Sequence, residues 1–501
     1  MAFTEEPATV LYTCVAAFAA VCAFRWWSDP LRVIPTIGGS SLPLLSYIAA
    51  ARFVRHGKEL IQEGYQKYHG SAFKVAMLDQ WLVVVSGPKI IDDLRKRPDE
   101  EASFTEAAAE ITQTKYTCGK EIQTDPYHVE IIRDKLTRTL PTILPDVIDE
   151  LQVATQEYLP TDGNEWHGVV VVDTMRQIVA RASGRVFVGL PLCRDHTYLD
   201  VSIDFTLSVV KDRATINLFP KLLKPIVGRL VSNCANSVRR ASPLVHPMIE
   251  ERRQHMSEYG DDWPDKPNDM LQWIMDEALA RKHSNVQIIQ RLLLLNFAAI
   301  HTSSNSVTYA IFHLAERPEY VQPLREIELI IREDGWTKAA MGRMWKLDSF
   351  MKESQRYNGI TIISVMRKTQ KDITLVDGTF IPRGTLVAAD AYNLHHDDAV
   401  YANADEFDPW RFARMRTAEG EGMKHQYVNT SVEYVPFGHG KHACPGRFFA
   451  ANELKALFAY LVLNYDMKLG GDGKRPENVC LAHSMFPAPG KEVLFRKRRA
   501  M

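Results

Sequence analysis

The chain has 501 residues, 46% of them hydrophobic, and 60 Lys and Arg against 61 Asp and Glu leave a net charge of −1. This supports a large buried core with a small-molecule site and gives no electrostatic bias toward nucleic acid. The seven cysteines are scattered and odd in number, which reads as free thiols in a reducing compartment, and no linker, low-complexity tract or internal repeat marks a boundary, so one large domain is expected. The first element is apolar: from Ala8 to Phe24 no residue is charged, and Trp26 and Trp27 follow where interfacial aromatics sit. The run lies at the short end of the spanning range and predicts a transmembrane anchor over residues 8–27. A cleaved signal peptide is the rival, but Glu5 and Glu6 stand where a basic region would be, and no clean small-residue cleavage site follows. Arg25 and Arg32 come after the span, which places the body of the protein in the cytosol. Pro30, Pro35 and the glycines at 38 and 39 make a stiff, then flexible, connector.

Ala72 to Val75 and Trp81 to Val85 read as strands, closed by Gly87-Pro88. A long helix is predicted from Val286 to Ala315: Ser284 or Asn285 can cap it, no Pro or Gly interrupts it, and Pro318 stops it. From Leu292 to Ala315 it carries no Asp, Glu, Lys or Arg, so a second membrane span competes with a core helix. The polar cluster Asn296, His301, Thr302, Ser303, Ser304, Asn305 and Ser306 is costly in lipid and favours the core helix. Glu353 and Arg356 are spaced to meet on one helix face. The same spacing at Glu250 and Arg253 reads as a solvated face, so the pair needs context, which Phe407-Asp408-Pro409-Trp410-Arg411-Phe412 supplies. Ile373 to Leu375, Asp377-Gly378 and Thr379 to Ile381 read as a hairpin.

Phe437-Gly438-His439-Gly440-Lys441-His442-Ala443-Cys444-Pro445-Gly446 presents one cysteine at the start of an alanine-rich helical pattern. Gly438, Gly440 and Gly446 permit dihedrals closed to other residues, and a helix N-terminus favours an anionic sulfur. The arrangement suits Cys444 as the thiolate ligand of a haem iron, since that thiolate pushes electron density onto the metal and favours O–O cleavage. A buried structural cysteine and a zinc site of His439, His442 and Cys444 are the alternatives. Zinc sites usually use four ligands, often with a second closely spaced pair, and no such pair is found.

These motifs, in this order, resemble the cytochrome P450 family, and the resemblance covers nearly the whole chain. Phe437, Gly440, Cys444 and Gly446 match the family's Phe-x-x-Gly-x-Arg-x-Cys-x-Gly loop. His442 replaces its arginine, as in fungal members. The resemblance implies a mainly α fold with small β-sheets, in which residues 1–35 form the anchor and hinge and residues 36–501 a single haem-binding catalytic domain. It implies haem b ligated by Cys444, with His442, Arg367 and, as a poorer candidate, Arg133 toward the propionates, because the family's Trp-x-x-x-Arg is not intact around Arg133. It places Thr302 on the oxygen-activating threonine and Glu353, Arg356 and Arg411 in a buried network governing folding. His301 stands where the family has an acid. Its unperturbed pKa lies near neutrality, so it is expected to feed protons toward Thr302, a structural hydrogen bond being the alternative.

The same resemblance implies an endoplasmic-reticulum monooxygenase that takes electrons from an NADPH-cytochrome P450 reductase, with cytochrome b5 as a further partner. No nucleotide-binding glycine fingerprint occurs in the chain itself. The segments expected to line the pocket, including Val201 to Leu218, Ile300 and Ile360 to Met366, are mostly aliphatic. They favour a lipid-like substrate, a terpenoid of fungal secondary metabolism first, with fatty acids, steroids, polyketides and indole alkaloids as alternatives. A P450-type isomerase and a non-enzymatic haem-binding membrane protein are the rival functions.

Overall fold

The computed structural model describes residues 7–159 and 165–498, so the Glu5 and Glu6 reading lies outside the described residues. The chain is mostly helical with small sheets. It forms two compact units, each assembled from separated stretches: residues 1–107, 362–394 and 480–484, and residues 108–361, 395–479 and 485–501.

The first unit is built on a six-stranded sheet in the order Thr36–Ile37, Ala72–Ala76, Trp81–Val85, Leu386–Asp390, Ile363–Thr369, Ala102–Ser103. The two predicted strands pair antiparallel with Val75 opposite Leu82, and Trp81–Val85 then runs parallel to Leu386–Asp390. Leu82 to Val85 are inaccessible, so this β-branched run is covered on both faces and shows no alternation. The helix Leu45–Lys67 packs closely on Ala72–Ala76: a Cβ at Gly64 would stand 2.3 Å from the Phe73 ring, so only glycine fits there. The predicted hairpin is present, with Ile373 opposite Ile381. Its turn is held by the Asp377 carboxylate, which accepts from the Thr379 amide at 3.0 Å, and by Gly378 at φ +87°. The helix Pro7–Ser28 is exposed, and Thr9–Ser28 within it is long and apolar enough to cross a membrane, with mean hydropathy 1.5. At its end Arg32 lies 4.4 Å from the Trp27 ring centre.

The second unit is organised by the 32-residue helix Asn285–Glu316, capped as expected by Ser284 in a reciprocal capping box with Gln287. Every side chain from Ser303 to Ala315 is buried, which makes this a core helix. Among the described residues only the N-terminal helix is long and apolar enough to span a membrane. The polar cluster is tolerated because its members find partners: Asn296 donates to the Tyr198 hydroxyl at 3.1 Å, and the Ser304 and Ser306 hydroxyls donate to the carbonyls of His301 and Thr302 at 3.3 and 2.8 Å. Around this helix pack Val171–Phe187, His196–Asn217, Cys234–Tyr259, Trp345–Tyr357 and Arg447–Asn464, and Thr137–Tyr158 packs on Val171–Phe187 and Arg447–Asn464. A three-stranded sheet of Tyr465–Leu469, Glu492–Lys497 and His167–Val170 completes the unit.

Candidate functional site

The cysteine loop is fastened at both ends by its own backbone. The Cys444 amide donates to the Phe437 carbonyl at 2.7 Å, the Gly438 amide to Val435 at 2.9 Å and the Ala443 amide to Gly440 at 3.0 Å. Gly438 and Gly440 take φ of +69° and +76°, a region nearly closed to other residues. Gly446 does not: it caps the helix Arg447–Asn464 at φ −85°, and a Cβ there would only touch Ile132 at 3.7 Å. Its expected conformational role is therefore not used, and a Cβ would be accommodated there. Burial raises the Cys444 thiol pKa, while the amides of Gly446 and Arg447 and the Arg447 charge act in the opposite direction. His442 lies half-buried in the short helical turn Gly440–His442, and the Phe437 ring packs against Tyr427 with centroids 5.7 Å apart. Among the described residues no group of three His, Cys, Asp or Glu side chains is placed to hold a metal ion, so His439, His442 and Cys444 do not converge on zinc.

Below the loop the predicted network is assembled. Arg356 forks onto Glu353 with bonds of 2.8 and 2.7 Å, and Arg411 donates to the same carboxylate at 3.2 Å, with no part of the Glu353 side chain exposed. Both arginines also donate to carbonyls of residues 402–406. The sequence reading missed two members of this region. His395 accepts the Val435 amide at 3.2 Å, fastening the approach to the cysteine loop, and its pKa is driven far down by burial. Lys352 donates to the carbonyls of Gln426 and Asn429 at 2.9 and 3.1 Å, and burial pushes its pKa down to about 7. A lysine on an amphipathic helix reads as solvated surface until the packing is known.

Arg133 sits in the wide helical turn Ile131–Leu136, exposed, with its charge felt by Arg447. In the first unit Arg367 is 1% exposed, yet its Nε and Nη2 have no hydrogen-bond partner and only Nη1 donates, to the Met366 carbonyl at 2.8 Å. Burial lowers its pKa to about 10.

On the central helix, Ala298 and Thr302 are exposed although the helix around them is largely buried. One turn apart, they form an open strip. The Thr302 hydroxyl donates to the Ala298 carbonyl at 2.7 Å. His301 turns to the helix His196–Asn217, its Nε2 2.7 Å from the Thr206 hydroxyl. Because Thr206 spends its one hydroxyl proton on the Ile203 carbonyl at 2.7 Å, it accepts from His301, which fixes the Nε2–H tautomer. Burial, helped by the Arg176 charge, pushes the His301 pKa down to about 4. The premise that its titration lies near neutrality does not survive folding; at pH 7 it is neutral.

Behind the cysteine, Glu453 is fully buried on the helix Arg447–Asn464 and accepts from the Ser183 hydroxyl at 2.8 Å, while its Oε2 has no partner. Burial pushes this carboxyl from 4.5 up to about 8. The folded protein then binds a proton that the unfolded chain releases between those values, so stability falls as pH rises through the window. The shift corresponds to roughly 5 kcal/mol at most. Glu453→Gln, which keeps the shape and stays neutral, is expected to flatten the urea-unfolding midpoint between pH 5 and 8 relative to the unchanged chain. A parallel pH profile in the two proteins would contradict the protonated assignment.

Residues 38–495 match the sequence model of the cytochrome P450 family. The chain is 51% identical to cytochrome P450 monooxygenase 151 of Postia placenta, over 98% of this chain and 99% of that protein. It is 44% identical to cytochrome P450 monooxygenase CYP512U6 of Ganoderma lucidum, over 99% and 98%. Ent-kaurene oxidase P450-4 of Gibberella fujikuroi is 31% identical over 93% and 92%. Among solved structures, retinoic acid bound cyanobacterial CYP120A1 shares the fold with a TM-score of 0.68 at 19% identity, covering 93% of this chain and 99% of that one.

Proposed function

The chain belongs to the cytochrome P450 family and is a monooxygenase that uses haem with cysteine thiolate ligation, and from that premise we propose that it oxidises an apolar terpenoid in a fungal secondary-metabolite pathway. The observations that carry the reading are the open strip of Ala298 and Thr302 on an otherwise largely buried helix and, in the same unit, a cysteine fastened at a helix start. The residues fit the cofactor each in its own unit: Cys444 is held in a glycine loop, and the Nε and Nη2 of buried Arg367, without a partner among the described residues, suit a carboxylate. Bound haem supplies oxygen activation, its iron enriched in electron density by the thiolate.

The residues around it have separable tasks. Cys444 would ligate the iron, Phe437 would pack beside the cofactor, and Arg367 and His442 would hold propionates, with exposed Arg133 a weaker contributor. Thr302 stands on the open strip, where its hydroxyl, already donating to the Ala298 carbonyl, would accept a hydrogen bond from a proton-bearing group. His301 is neutral, donates from Nε2 to Thr206 and keeps Nδ1 as an acceptor, so proton transfer through it runs by exchange between the two ring nitrogens rather than by titration. His301→Ala is expected to leave haem content unchanged while lowering product formed per NADPH several-fold. Unchanged coupling would assign His301 to holding Thr206 alone.

The apolar N-terminal helix supports anchoring in the endoplasmic reticulum membrane with the catalytic body cytosolic, where an NADPH-cytochrome P450 reductase and cytochrome b5 would supply electrons. The likeness to ent-kaurene oxidase P450-4 of Gibberella fujikuroi supports a terpenoid substrate. The test is NADPH-dependent incorporation of isotopically labelled dioxygen into ent-kaurene and other terpenoids by microsomes co-expressing the reductase. Labelled product only from fatty acids or steroids would move the substrate class, and turnover without NADPH would favour an isomerase.

A further inference from the structure

We propose that Arg213 is a substrate-recognition residue that binds a carboxylate carried by an otherwise apolar substrate. The proposal rests on the monooxygenase reading and narrows its substrate class. Thr206, on the helix His196–Asn217, lies on the face that meets the central helix at His301, the neighbour of Thr302. Arg213 follows seven residues later, nearly two full turns, so it lies on the same face about 10 Å further along the axis. Val209 and Ile216, on the same side, are buried, which makes the face an interior one.

The charged side chains of this helix divide cleanly. Asp200, Asp204 and Lys211 are exposed. Asp212 is buried and satisfied, accepting from the Asn233 amide at 2.8 Å and from the Asn233 side chain at 3.2 Å. Arg213 is half-buried, and among the described residues it makes no hydrogen bond and no ion pair. Burial lowers the pKa of its guanidinium, and among the described residues no ion pair offsets that burial.

Holding a charge away from water without a counter-ion is costly. That cost is offset if the partner arrives with the substrate. A planar guanidinium fork matches a carboxylate through two parallel bonds. The aliphatic positions of the same helix suit the apolar body of such a molecule. The sequence places this arginine in the Val201 to Leu218 segment expected to line the pocket, and the position of Thr206 against His301 shows which way its face points.

The test is titration of the haem-loaded protein with dehydroabietic acid and hexadecanoic acid, each beside its methyl ester, read as the shift of the Soret band. The acids are expected to bind about tenfold or more tightly than the esters. Arg213→Met and Arg213→Gln should abolish that preference and leave ester binding in place, while Arg213→Lys keeps part of it. Equal binding of acid and ester by the unchanged protein, an acid preference surviving in both Arg213→Met and Arg213→Gln, or no response to any acid would overturn the proposal. The carbon monoxide difference spectrum of the same preparations tells the two levels apart. A thiolate-type band with no acid preference defeats the carboxylate assignment alone. Loss of that band from the unchanged protein defeats the monooxygenase reading and this proposal with it.

Discussion

Cys444→Ala is expected to give a folded chain in which the red-shifted absorbance band of the reduced carbon monoxide complex is gone and NADPH-dependent turnover is at background. The backbone bonds that shape the loop run from the amides of Cys444, Gly438 and Ala443 to carbonyls of Phe437, Val435 and Gly440, and none uses the sulfur. Removing the sulfur deletes the ligand without removing the loop's own fastening. The expected change in chain stability is therefore within about 1 kcal/mol, and far-ultraviolet circular dichroism should be unchanged. The amides of Gly446 and Arg447 lose the group they point at, but both stand at the start of a helix, where water can replace it. A retained thiolate-type band in the variant would remove Cys444 from the site and redirect attention to the buried cysteines, Cys118, Cys193 and Cys234.

Arg356→Met should cost far more in stability than any substitution at the open strip. Glu353 is wholly inaccessible and would keep only the Arg411 contact at 3.2 Å and the Asp408 amide at 3.0 Å. The carbonyls of His395, Ala404 and Glu406 would each lose a donor. Breaking one partner of a buried pair typically costs about 3–5 kcal/mol, because the other charge is left uncompensated. The expected result is a lowered urea midpoint and loss of haem on gel filtration, since His395 and Val435 lead from this network into the cysteine loop. The double variant Glu353→Leu/Arg356→Met should recover part of the loss by removing both charges. A single variant destabilised by less than about 1 kcal/mol would show that the network does not carry the fold.

Much of this was legible along the chain because the signals are local. The apolar run before Trp26, the uninterrupted pattern from Val286 to Ala315 and the Asp377-Gly378 turn each express a short-range rule of length, periodicity or turn chemistry, and each appears within one or two residues of its expected bounds. The cysteine loop was legible for the same reason, its glycines and its helix being contiguous with Cys444. Glu353, Arg356 and Arg411 needed more, since the spacing of Glu353 and Arg356 is repeated on a solvated helix at Glu250 and Arg253. What distinguishes them is the burial that their surroundings impose.

Composition and periodicity by themselves determined the apolar N-terminal helix and the core helix, and the motifs, through their resemblance to the family, gave the class of the molecule and the cysteine of its glycine loop. Only the tertiary structure decided the state of the charged and polar groups. Burial moves His301 to about 4, Lys352 to about 7 and Glu453 to about 8, and leaves Arg213 half-buried without a counter-charge. The physical reason is that the free energy of a charge depends on the water and partners around it. Those are set by helices far apart in the chain, so no local pattern contains them.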